Sequence, residues 1–446
     1  MVIPSVKQGF KKTDLGIIPE DWEVKSIGGE IDLKTGFPFP SNKYTSTGIR
    51  LLRGSNIKRG KTDWSEEITE YWEKVTFELE PYVLNEGDIV IAMDGSLVGR
   101  SFARLSKQDL PALLLQRVAR IRSNRIDMGY LKEYICSDYF TRYCDSIKTV
   151  TAIPHISPED IRKFPIPIPP TKEEQFAIAK ILSEADVLTD SLDKLIEKKK
   201  NIKQGAMQKL LTGKKRLTGD WIVNKNRKVT DVGIIPEDWT VKTFDELFTF
   251  LQTGTNARSD LSEQGAVNYI HYGDIHSKWR LFLDCDIERI PRISVEKITN
   301  LPFVEEGDLI IADASEDYAG IGTSVEVKNV KDKKIVCGLH TIFLRGTKKK
   351  IADGYKAYLT SIPAVKNSLI RKATGISVYG ISKNTIKNTR IPLPTDIKEQ
   401  TSIAKFLSDM NTEIEELERM RDKYRQLKSG MMQKLLTGRI RLKWKN

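Results

Sequence analysis

Apolar residues recur at heptad spacing over residues 172–213, in the middle of the chain. One row contains Ile181, Leu188, Leu195 and Ile202, and the neighbouring row contains Ile178, Ala185, Leu192 and Ala206, interrupted by Lys199. Residues repeated in this way line one side of an α-helix, so the pattern predicts a coiled-coil helix. Pro169 and Pro170 precede the segment and Gly213 ends it, as expected for helix boundaries.

Residues 398–438 repeat this element near the end of the chain. The corresponding rows are Ile403, Met410, Leu417, Tyr424 and Met431, and Phe406, Met420 and Leu427, with Glu413 as the polar exception. Both segments end in the same letters, MQKLLTG, at Met207–Gly213 and Met432–Gly438. We therefore expect the two helices to pack on each other as an intramolecular coiled coil. The alternative is two unrelated amphipathic helices.

Shorter repeats show that the whole chain is a tandem duplication. DLGIIPEDWEVKSI at Asp14–Ile27 returns as DVGIIPEDWTVKTF at Asp231–Phe244, and NEGDIVIA at Asn85–Ala92 returns as EEGDLIIA at Glu305–Ala312. Each half contains short apolar strands and Gly-containing turns, then a helical piece, a polar loop and a Pro-rich strand that leads into the long helix. The halves agree at their ends and diverge in the middle.

The fold class that follows is α/β, of α+β-like character, with approximate two-fold symmetry between the repeats. We expect a first β-rich domain at residues 1–170 and a long helix at 171–213. A second β-rich domain is expected at 214–394, a second long helix, antiparallel to the first, at 395–438, and a basic tail at 439–446.

Composition narrows the classes of function. The chain has 446 residues and carries 72 Lys and Arg against 60 Asp and Glu, so its net charge of +12 favours an anionic partner such as nucleic acid. No apolar run is long enough for a transmembrane helix, and the N-terminus lacks a secretion signal. Its four cysteines show neither CxxC spacing nor a disulfide framework, which is typical of a protein from a reducing cytoplasm.

Basic, polar and aromatic residues interleave in the divergent middle of each half, at Gly48–Lys61 and Ala266–Arg280, and in the loops Lys148–His155 and Lys372–Tyr379. Such side chains bind phosphates or base edges, so these stretches are candidates for DNA binding. The candidate residues are Arg50, Arg53, Asn56, Lys58, Arg59, Lys61, Lys148, Thr151, His155, Asn268, Tyr269, His271, Tyr272, His276, Lys278, Lys372, Ser377 and Tyr379. The alternative is an ordinary solvated surface.

Motifs for catalysis and metal binding are mostly missing, since the chain has no GxxxxGK[ST], HExxH or GxSxG. His271, His276 and Cys285 superficially resemble metal ligands, but their spacing matches no standard zinc site. Asp308, Glu326 and Lys328 resemble a Mg²⁺-nuclease triad. In our alignment Ala103 and Leu105 stand opposite Glu326 and Lys328, so one half would be inactive, and we predict neither catalytic nor metal-ligating residues.

Several motifs together resemble the DNA specificity (S) subunits of type I restriction-modification systems. They are LGIIPEDW at Leu15–Trp22 and VGIIPEDW at Val232–Trp239, KTGFPFPSNKY at Lys34–Tyr44, the junctions IPIPPTKEEQFAIAKILSEAD at Ile166–Asp186 and IPLPTDIKEQTSIAKFLSDMN at Ile391–Asn411, and QKLLTG at both helix ends. The resemblance covers essentially the whole chain, twice. One departure is Asp396-Ile397, where the family often has Pro and Leu, and it affects only the junction.

The resemblance implies two target-recognition domains, each reading one half of a bipartite site in double-stranded DNA. The helix pair would set the gap between the half-sites and dock two modification (M) subunits. Those subunits bring S-adenosylmethionine and methylate adenine, whereas restriction (R) subunits, joined through the M and S core, use ATP and Mg²⁺. The S subunit itself would bind no cofactor. A nuclease using Asp308, Glu326 and Lys328, or a purely structural coiled-coil scaffold, are the alternatives.

Overall fold

The computed structural model describes residues 8–149, 153–217, 226–298 and 300–442. The chain divides into two compact units, unit 1 comprising Met1–Asp193 with Arg419–Asn446, and unit 2 comprising Lys194–Glu418. Each unit contains one β-rich repeat and parts of both long helices. The mixed helix and strand architecture predicted from the repeats is therefore confirmed.

Unit 1 combines two main sheets with three short helices and the first long helix. Its strands are β1 (Phe10–Thr13), β2 (Gly16–Pro19), β3 (Glu23–Ser26), β4 (Asp32–Thr35), β5 (Ile49–Leu52), β6 (Glu70–Trp72), β7 (Ile89–Ala92), β8 (Phe102–Arg104), β9 (Ala112–Leu114), β10 (Val118–Arg122) and β11 (Pro165–Ile168). Its helices are α1 (Met128–Ile135), α2 (Asp138–Ile147), α3 (Pro158–Arg162) and α4 (Lys172–Leu210), of which the last continues into unit 2.

The main sheet of unit 1 has the order β4-β10-β7-β8, and the second sheet has the order β6-β5-β9. Strand β7 is buried at every position, which explains its uninterrupted apolar sequence IVIA. The turn before it is fixed by Asp88, whose buried carboxylate accepts the amide of Asn85 at 2.8 Å and two hydrogen bonds from Arg122. The repeated Gly-Asp pair is thus a structural turn.

Unit 2 repeats this arrangement with a larger main sheet. Its strands are β12 (Arg227–Thr230), β13 (Gly233–Pro236), β14 (Trp239–Thr243), β15 (Phe248–Leu251), β16 (Val267–Ile270), β17 (Leu281–Asp284), β18 (Arg292–Ile293), β19 (Leu309–Ala312), β20 (Ala314–Ser315), β21 (Ser324–Lys328), β22 (Ile335–Cys337), β23 (Thr341–Gly346), β24 (Tyr379–Gly380) and β25 (Arg390–Pro394). Its helices are α5 (Phe244–Leu247), α6 (Tyr272–Ser277), α7 (Pro363–Lys372), α8 (Lys383–Lys387) and α9 (Ile397–Leu435), and α9 continues into unit 1.

The sheets of unit 2 have the orders β15-β23-β19-β21-β17 and β18-β16-β22. Strand β19 is the equivalent of β7 and is also buried throughout. Asp308 plays the part of Asp88, since it accepts the amide of Glu305 and two hydrogen bonds from Arg345. The same turn chemistry therefore supports the central strand of both units.

Helices α4 and α9 pack antiparallel within each unit, as the matching ends predict. In unit 1, Asp186 of α4 pairs with Lys428 of α9, and Asp193, further along α4, pairs with Arg421, which is earlier on α9. In unit 2, Lys199 of α4 pairs with Glu413 of α9 at 2.6 Å. Opposite charges on the two helices thus face each other along the coiled coil.

One predicted row of the coiled-coil contact is wrong by one residue on each helix. Ile178, Leu192 and Ile403 are buried as expected, and Ile181, Phe406, Met410, Leu417 and Tyr424 are partly buried. The side chains of Leu188, Leu195, Ile202, Met420 and Leu427 are exposed. Their expected place is taken by the next residues along, Leu182, Thr189, Ile196 and Lys203 on α4, and Leu407, Ile414, Arg421 and Lys428 on α9.

The physical reason is that polar side chains occupy this contact with partners from the facing helix. The ammonium of Lys203 donates to the Asn411 side-chain oxygen at 2.7 Å in unit 2. In unit 1, Lys428 lies 2.6 Å from Asp186 and 3.2 Å from the buried Glu133. A search for apolar residues alone passes over such positions and selects the exposed apolar row beside them.

The ends of the long helices pack on the repeated Pro-Glu-Asp-Trp turns. Gly438, which follows α9, lies against Pro19 and the fully buried Trp22 of unit 1, and Gly213, which follows α4, lies against Pro236 and Trp239 of unit 2. Both glycines have positive φ, +65° and +62°, and a Cβ at either position would overlap the proline ring. The close approach and the left-handed backbone together require glycine.

An arginine three residues after each of these glycines fixes the same junction. Arg441 donates to both carboxylate oxygens of Glu174, at the start of α4, and to Asp21 of the turn. Arg216 makes the equivalent contacts with Glu399 and Asp238 in unit 2. Two-pronged arginine–carboxylate pairs are directional, so they fix the angle between helix end and turn.

Among the described residues, no helix is both long enough and apolar enough to cross a membrane.

The corrected contact predicts different losses of stability when two adjacent residues of α4 are substituted. Ile196→Ala removes a side chain that is 4% exposed and should lower the free energy of unfolding by about 2–5 kcal/mol. Leu195→Ala is the matched control, because this side chain is 38% exposed, and it should cost only about 0.5 kcal/mol. Urea-induced unfolding of the purified chain measures both. A greater loss for Leu195→Ala would restore the row predicted from sequence.

Candidate nucleic-acid interface

Strand pairing identifies equivalent positions in the two units. Strand β5 runs parallel to β9 with Leu52 opposite Leu114, and β16 runs parallel to β22 with Ile270 opposite Cys337. The residues that follow β5 and β16 are therefore equivalent, and they are Arg53 and His271. The next positions are Gly54 in unit 1 and Tyr272 in unit 2. The backbone is shared, but the side chains differ.

In unit 1 several polar side chains meet at the end of β7. Arg117 lies immediately before β10 and its guanidinium donates to Asp94 at 2.9 Å. Asp94 also forms an isolated backbone bridge with His155, which anchors the polar loop that precedes it. A Cβ placed on Gly54 would lie 3.5 Å from the Cβ of Ala92, the last residue of β7. The Arg53 segment, Arg117 and the His155 loop thus share one end of the sheet.

In unit 2 the same place is occupied by an aromatic and histidine cluster around Tyr272. The centre of its ring lies 4.7 Å from that of His271, 5.2 Å from that of His340 and 6.4 Å from that of His276. His340 lies immediately before β23 and its ring contacts the Asp313 carboxylate at 3.1 Å. The cluster contains three of the four histidines of the chain.

A basic cleft of about 1080 Å³ lies beside this cluster in unit 2. Its lining includes Arg258, Asn268, Lys278, Arg289, Arg292 and Lys333. The fully buried Asp274 holds Arg258 at 3.0 Å and Lys278 at 2.8 Å. Cationic side chains fixed around a concave surface suit a phosphate backbone.

Burial and a hydrogen bond determine the protonation of the His271 ring. Burial, reinforced by the nearby Arg258, lowers the pKa of His271, so its imidazole is neutral near pH 7. Its Nδ1 accepts the amide of Gly273 at 3.1 Å, which caps helix α6. This hydrogen bond places the ring proton on Nε2. His276 is exposed, and its Nε2 lies 2.8 Å from the carbonyl oxygen of Ala314.

Three of the residues predicted to contact DNA bind other groups of the protein instead. Asn56 is fully buried and donates to the carbonyl of Asp63, and Tyr269 is fully buried and donates to the carbonyl of Asn256. Arg50 donates to two backbone carbonyls, those of Gln108 and Leu110, and its guanidinium lies over the Trp64 ring. Asn56 and Tyr269 are therefore corrected to structural residues, because neither side chain reaches the surface.

The remaining candidates stay predictions, and most of them lie at the surface, whereas His271 is only 6% exposed. Arg53, Lys58, Arg59, Lys148 and Lys278 are ion-paired with Glu70, Asp63, Asp138, Asp145 and Asp274, respectively. Lys61, Lys372 and Ser377 are exposed, whereas His155, Asn268 and Tyr379 are partly buried. The ring of Tyr379 is tilted against that of Tyr318, with the ring centres 4.2 Å apart. Thr151 lies outside the described residues.

The alternative nuclease triad has a structural use for each member. The carboxylate of Glu326 accepts the amides of Gly354 at 2.6 Å and Ala357 at 2.9 Å, and the buried Lys356 lies 3.7 Å away. Asp308 is held by Arg345, as described above. Lys328 lies 3.6 Å from Asp284 and over the ring of Phe282. Within the described part of the chain, no group of three or more His, Cys, Asp or Glu could hold a metal ion.

Backbone hydrogen bonds also correct the alignment around Glu326. The amide of Leu105 donates to the carbonyl of Asp88, and that of Val327 donates to the carbonyl of Asp308. Leu105 is therefore equivalent to Val327, which places Arg104, rather than Ala103, opposite Glu326. The first unit has an exposed arginine where the second has a buried carboxylate.

Comparison with known proteins matches this chain to one family in both repeats. The family is described as the type I restriction modification DNA specificity domain, and it matches residues 19–204 and 236–423. A chain of Methanocaldococcus jannaschii assigned as the specificity subunit of type I restriction enzyme MjaX is 26% identical, over 98% of both chains. The specificity subunit of MjaVIII, from the same organism, is 33% identical over 47% of this chain and 50% of its own length.

Solved structures of low sequence identity share the fold. The S subunit of a type I restriction-modification system from M. genitalium has a TM-score of 0.58 and 17% identity, covering 93% of this chain and 96% of its own. A chain from a structure on complex assembly and conformational transition of the type I R-M system has a TM-score of 0.52 and 16% identity, covering 95% and 99%.

Glu326 generates a prediction for the pH dependence of stability. Burial raises the pKa of Glu326 to about 7, above its ordinary value of 4.5. The folded chain therefore holds this proton more tightly than the unfolded chain, so the contribution of Glu326 to stability is complete below pH 4.5 and is lost as the pH rises to about 7. Over this range the loss should be roughly 3 kcal/mol.

Urea-induced unfolding at several pH values between 4.5 and 8 tests this assignment. Glu326→Gln has no titrating proton, so its stability should lack this part of the pH dependence. Glu296→Gln, at an exposed carboxylate of the same unit, is the matched control and should follow the unsubstituted chain. Identical pH profiles for Glu326→Gln and the unsubstituted chain would show that Glu326 does not titrate in this way.

Proposed function

Since the chain belongs to the type I restriction-modification DNA specificity family, we propose that it reads an asymmetric, bipartite DNA target with one half-site for each unit. The observation that carries this proposal is the pair of equivalent surfaces at the ends of β7 and β19. Arg53 in unit 1 is replaced by His271 in unit 2, Gly54 by Tyr272, and Arg117 by His340. Different side chains on one backbone are what two readers of different sequences need.

We propose that the two long helices separate the half-sites. Each is 39 residues long, so each rod measures about 58 Å. The length of the helices would then determine the length of DNA that is not read.

Docking of two modification subunits is proposed for the outer surface of the helices. Leu188, Leu195 and Ile202 recur at heptad spacing on α4, and Met420 and Leu427 do so on α9, yet all five side chains are exposed. Exposed apolar residues in a row are typical of protein interfaces. These five exposed side chains therefore support an interface with another protein.

The chemistry of the assembled complex is proposed to lie on the other subunits. The modification subunits would hold S-adenosylmethionine and methylate adenine, and restriction subunits bound through them would use ATP and Mg²⁺. The chain described here would supply DNA recognition in the cytoplasm.

A methylation map tests the proposal. The chain is expressed with the modification subunit of its own operon in a host without DNA methylation, and N6-methyladenine is located by sequencing. We expect one interrupted, asymmetric motif that is absent when this chain is omitted. The motif identifies both half-sites and the spacer in a single experiment.

Two kinds of methylation motif would contradict the proposal. One is an identical motif with and without the chain, because the modification subunit would then choose the target alone. The other is a continuous motif without a spacer, which would exclude two separate readers. An expressed complex that neither methylates DNA nor binds it in a salt-dependent manner would also contradict it.

A further inference from the structure

We propose that Arg117 and His340 are base-reading residues, one in each unit. This inference rests on the proposed function and specifies which side chains distinguish the half-sites. Neither residue stands out in the sequence, because both lie between strands, outside the basic stretches. Their equivalence follows from the backbone, since the carbonyl of Arg117 accepts the amide of Met93 and that of His340 accepts the amide of Asp313.

Both residues have a left-handed backbone conformation that glycine would adopt more easily. The φ angle is +66° at Arg117 and +58° at His340. Among the described residues of unit 1, Arg117 is the only non-glycine residue with positive φ. His340 has the same backbone conformation at the equivalent position of unit 2. Retaining a large side chain in such a conformation costs free energy, which indicates that the side chain has a use.

Their side chains are presented to solvent but are held in place. Arg117 is 67% exposed and His340 is 48% exposed. Asp94 holds the first at 2.9 Å, and Asp313 holds the second at 3.1 Å. In both cases an acidic side chain from the end of the central strand orients a cationic or hydrogen-bonding group. The Asp94 contact uses one nitrogen of the guanidinium, so its other donors remain available.

The surroundings of the two residues place them within the candidate interface. Arg117 shares Asp94 with the backbone bridge to His155, in the loop predicted to contact DNA. His340 packs edge-on against Tyr272, beside His271. Unit 1 has Gly54 at the position of Tyr272 in unit 2, so the surroundings of Arg117 and His340 differ in side-chain size as well as in charge. An arginine fork matches O6 and N7 of guanine, so the base read by Arg117 is expected to be guanine.

Substitution by glycine tests the inference without disturbing the backbone. Glycine adopts positive φ without strain, so Arg117→Gly and His340→Gly remove only the side chain. Arg125→Ala is the control, because Arg125 follows the opposite end of β10 in the same unit. Each variant is expressed with the modification subunit, and N6-methyladenine is mapped as for the unsubstituted chain.

We expect Arg117→Gly to lose discrimination at one G·C pair of one half-site, by roughly ten- to hundredfold. His340→Gly should relax one position of the other half-site, and Arg125→Ala should leave the motif unchanged. Binding of the assembled complex to oligonucleotides with single substitutions measures the same preferences when methylation is weak.

Unchanged base preferences in both glycine variants would overturn the inference. Uniformly weaker binding to all sequences would also overturn it, because it would identify a phosphate contact or a structural role. Failure of the proposed function is distinguishable, since the unsubstituted chain would then confer no motif of its own.

Discussion

The packing of each long helix end on a Pro-Glu-Asp-Trp turn is the constraint on which the rest of the structure depends. Gly438 closes on Trp22, and Gly213 closes on Trp239, with no space for a side chain in either contact. Arg441 and Arg216 then join each turn to the first residues of a long helix. Because α9 ends in unit 1, Leu435 and Leu436 at its C-terminal end join the core of the first repeat.

This constraint separates the parts of the sequence that are repeated from those that vary. The turns, the helix ends and the central strands β7 and β19 make contacts that both units need, and their sequences are nearly the same. The loops at the ends of those strands are not constrained by these shared contacts. Different side chains there leave the frame unchanged, so the target could change without redesign of the helices.

Much of the fold could be predicted because repetition and periodicity report on it directly. The duplication, the buried strands, the helix boundaries and the pairing of the two long helices all follow from patterns in the sequence. The displaced contact row was not predictable from apolar periodicity, since Thr189, Lys203 and Lys428 occupy buried or partly buried contact positions through hydrogen bonds and ion pairs. Leu188, Leu195 and Ile202 have the expected apolar spacing, so the prediction selected the exposed side of the helix.

Part of the candidate site could be predicted from the sequence, and part required the structure. Arg53, His271, Tyr272 and His276 are candidates because basic and aromatic residues interleave in their stretches, and their contact with DNA stays a prediction. Asn56 and Tyr269 come from the same stretches, but their polar atoms satisfy backbone groups inside the fold. Arg117 and His340 needed the structure, because a left-handed φ and the pairing between distant strands determine where they lie.

The central proposal is that the length of the two long helices determines the spacer between two independently read half-sites. Insertion of one heptad into each of α4 and α9 tests it most directly, because seven residues add about 10 Å and preserve the helix contact. Methylation mapping should then show both half-sites unchanged and a longer spacer between them. An unchanged spacer, or a change in either half-site, would contradict the claim.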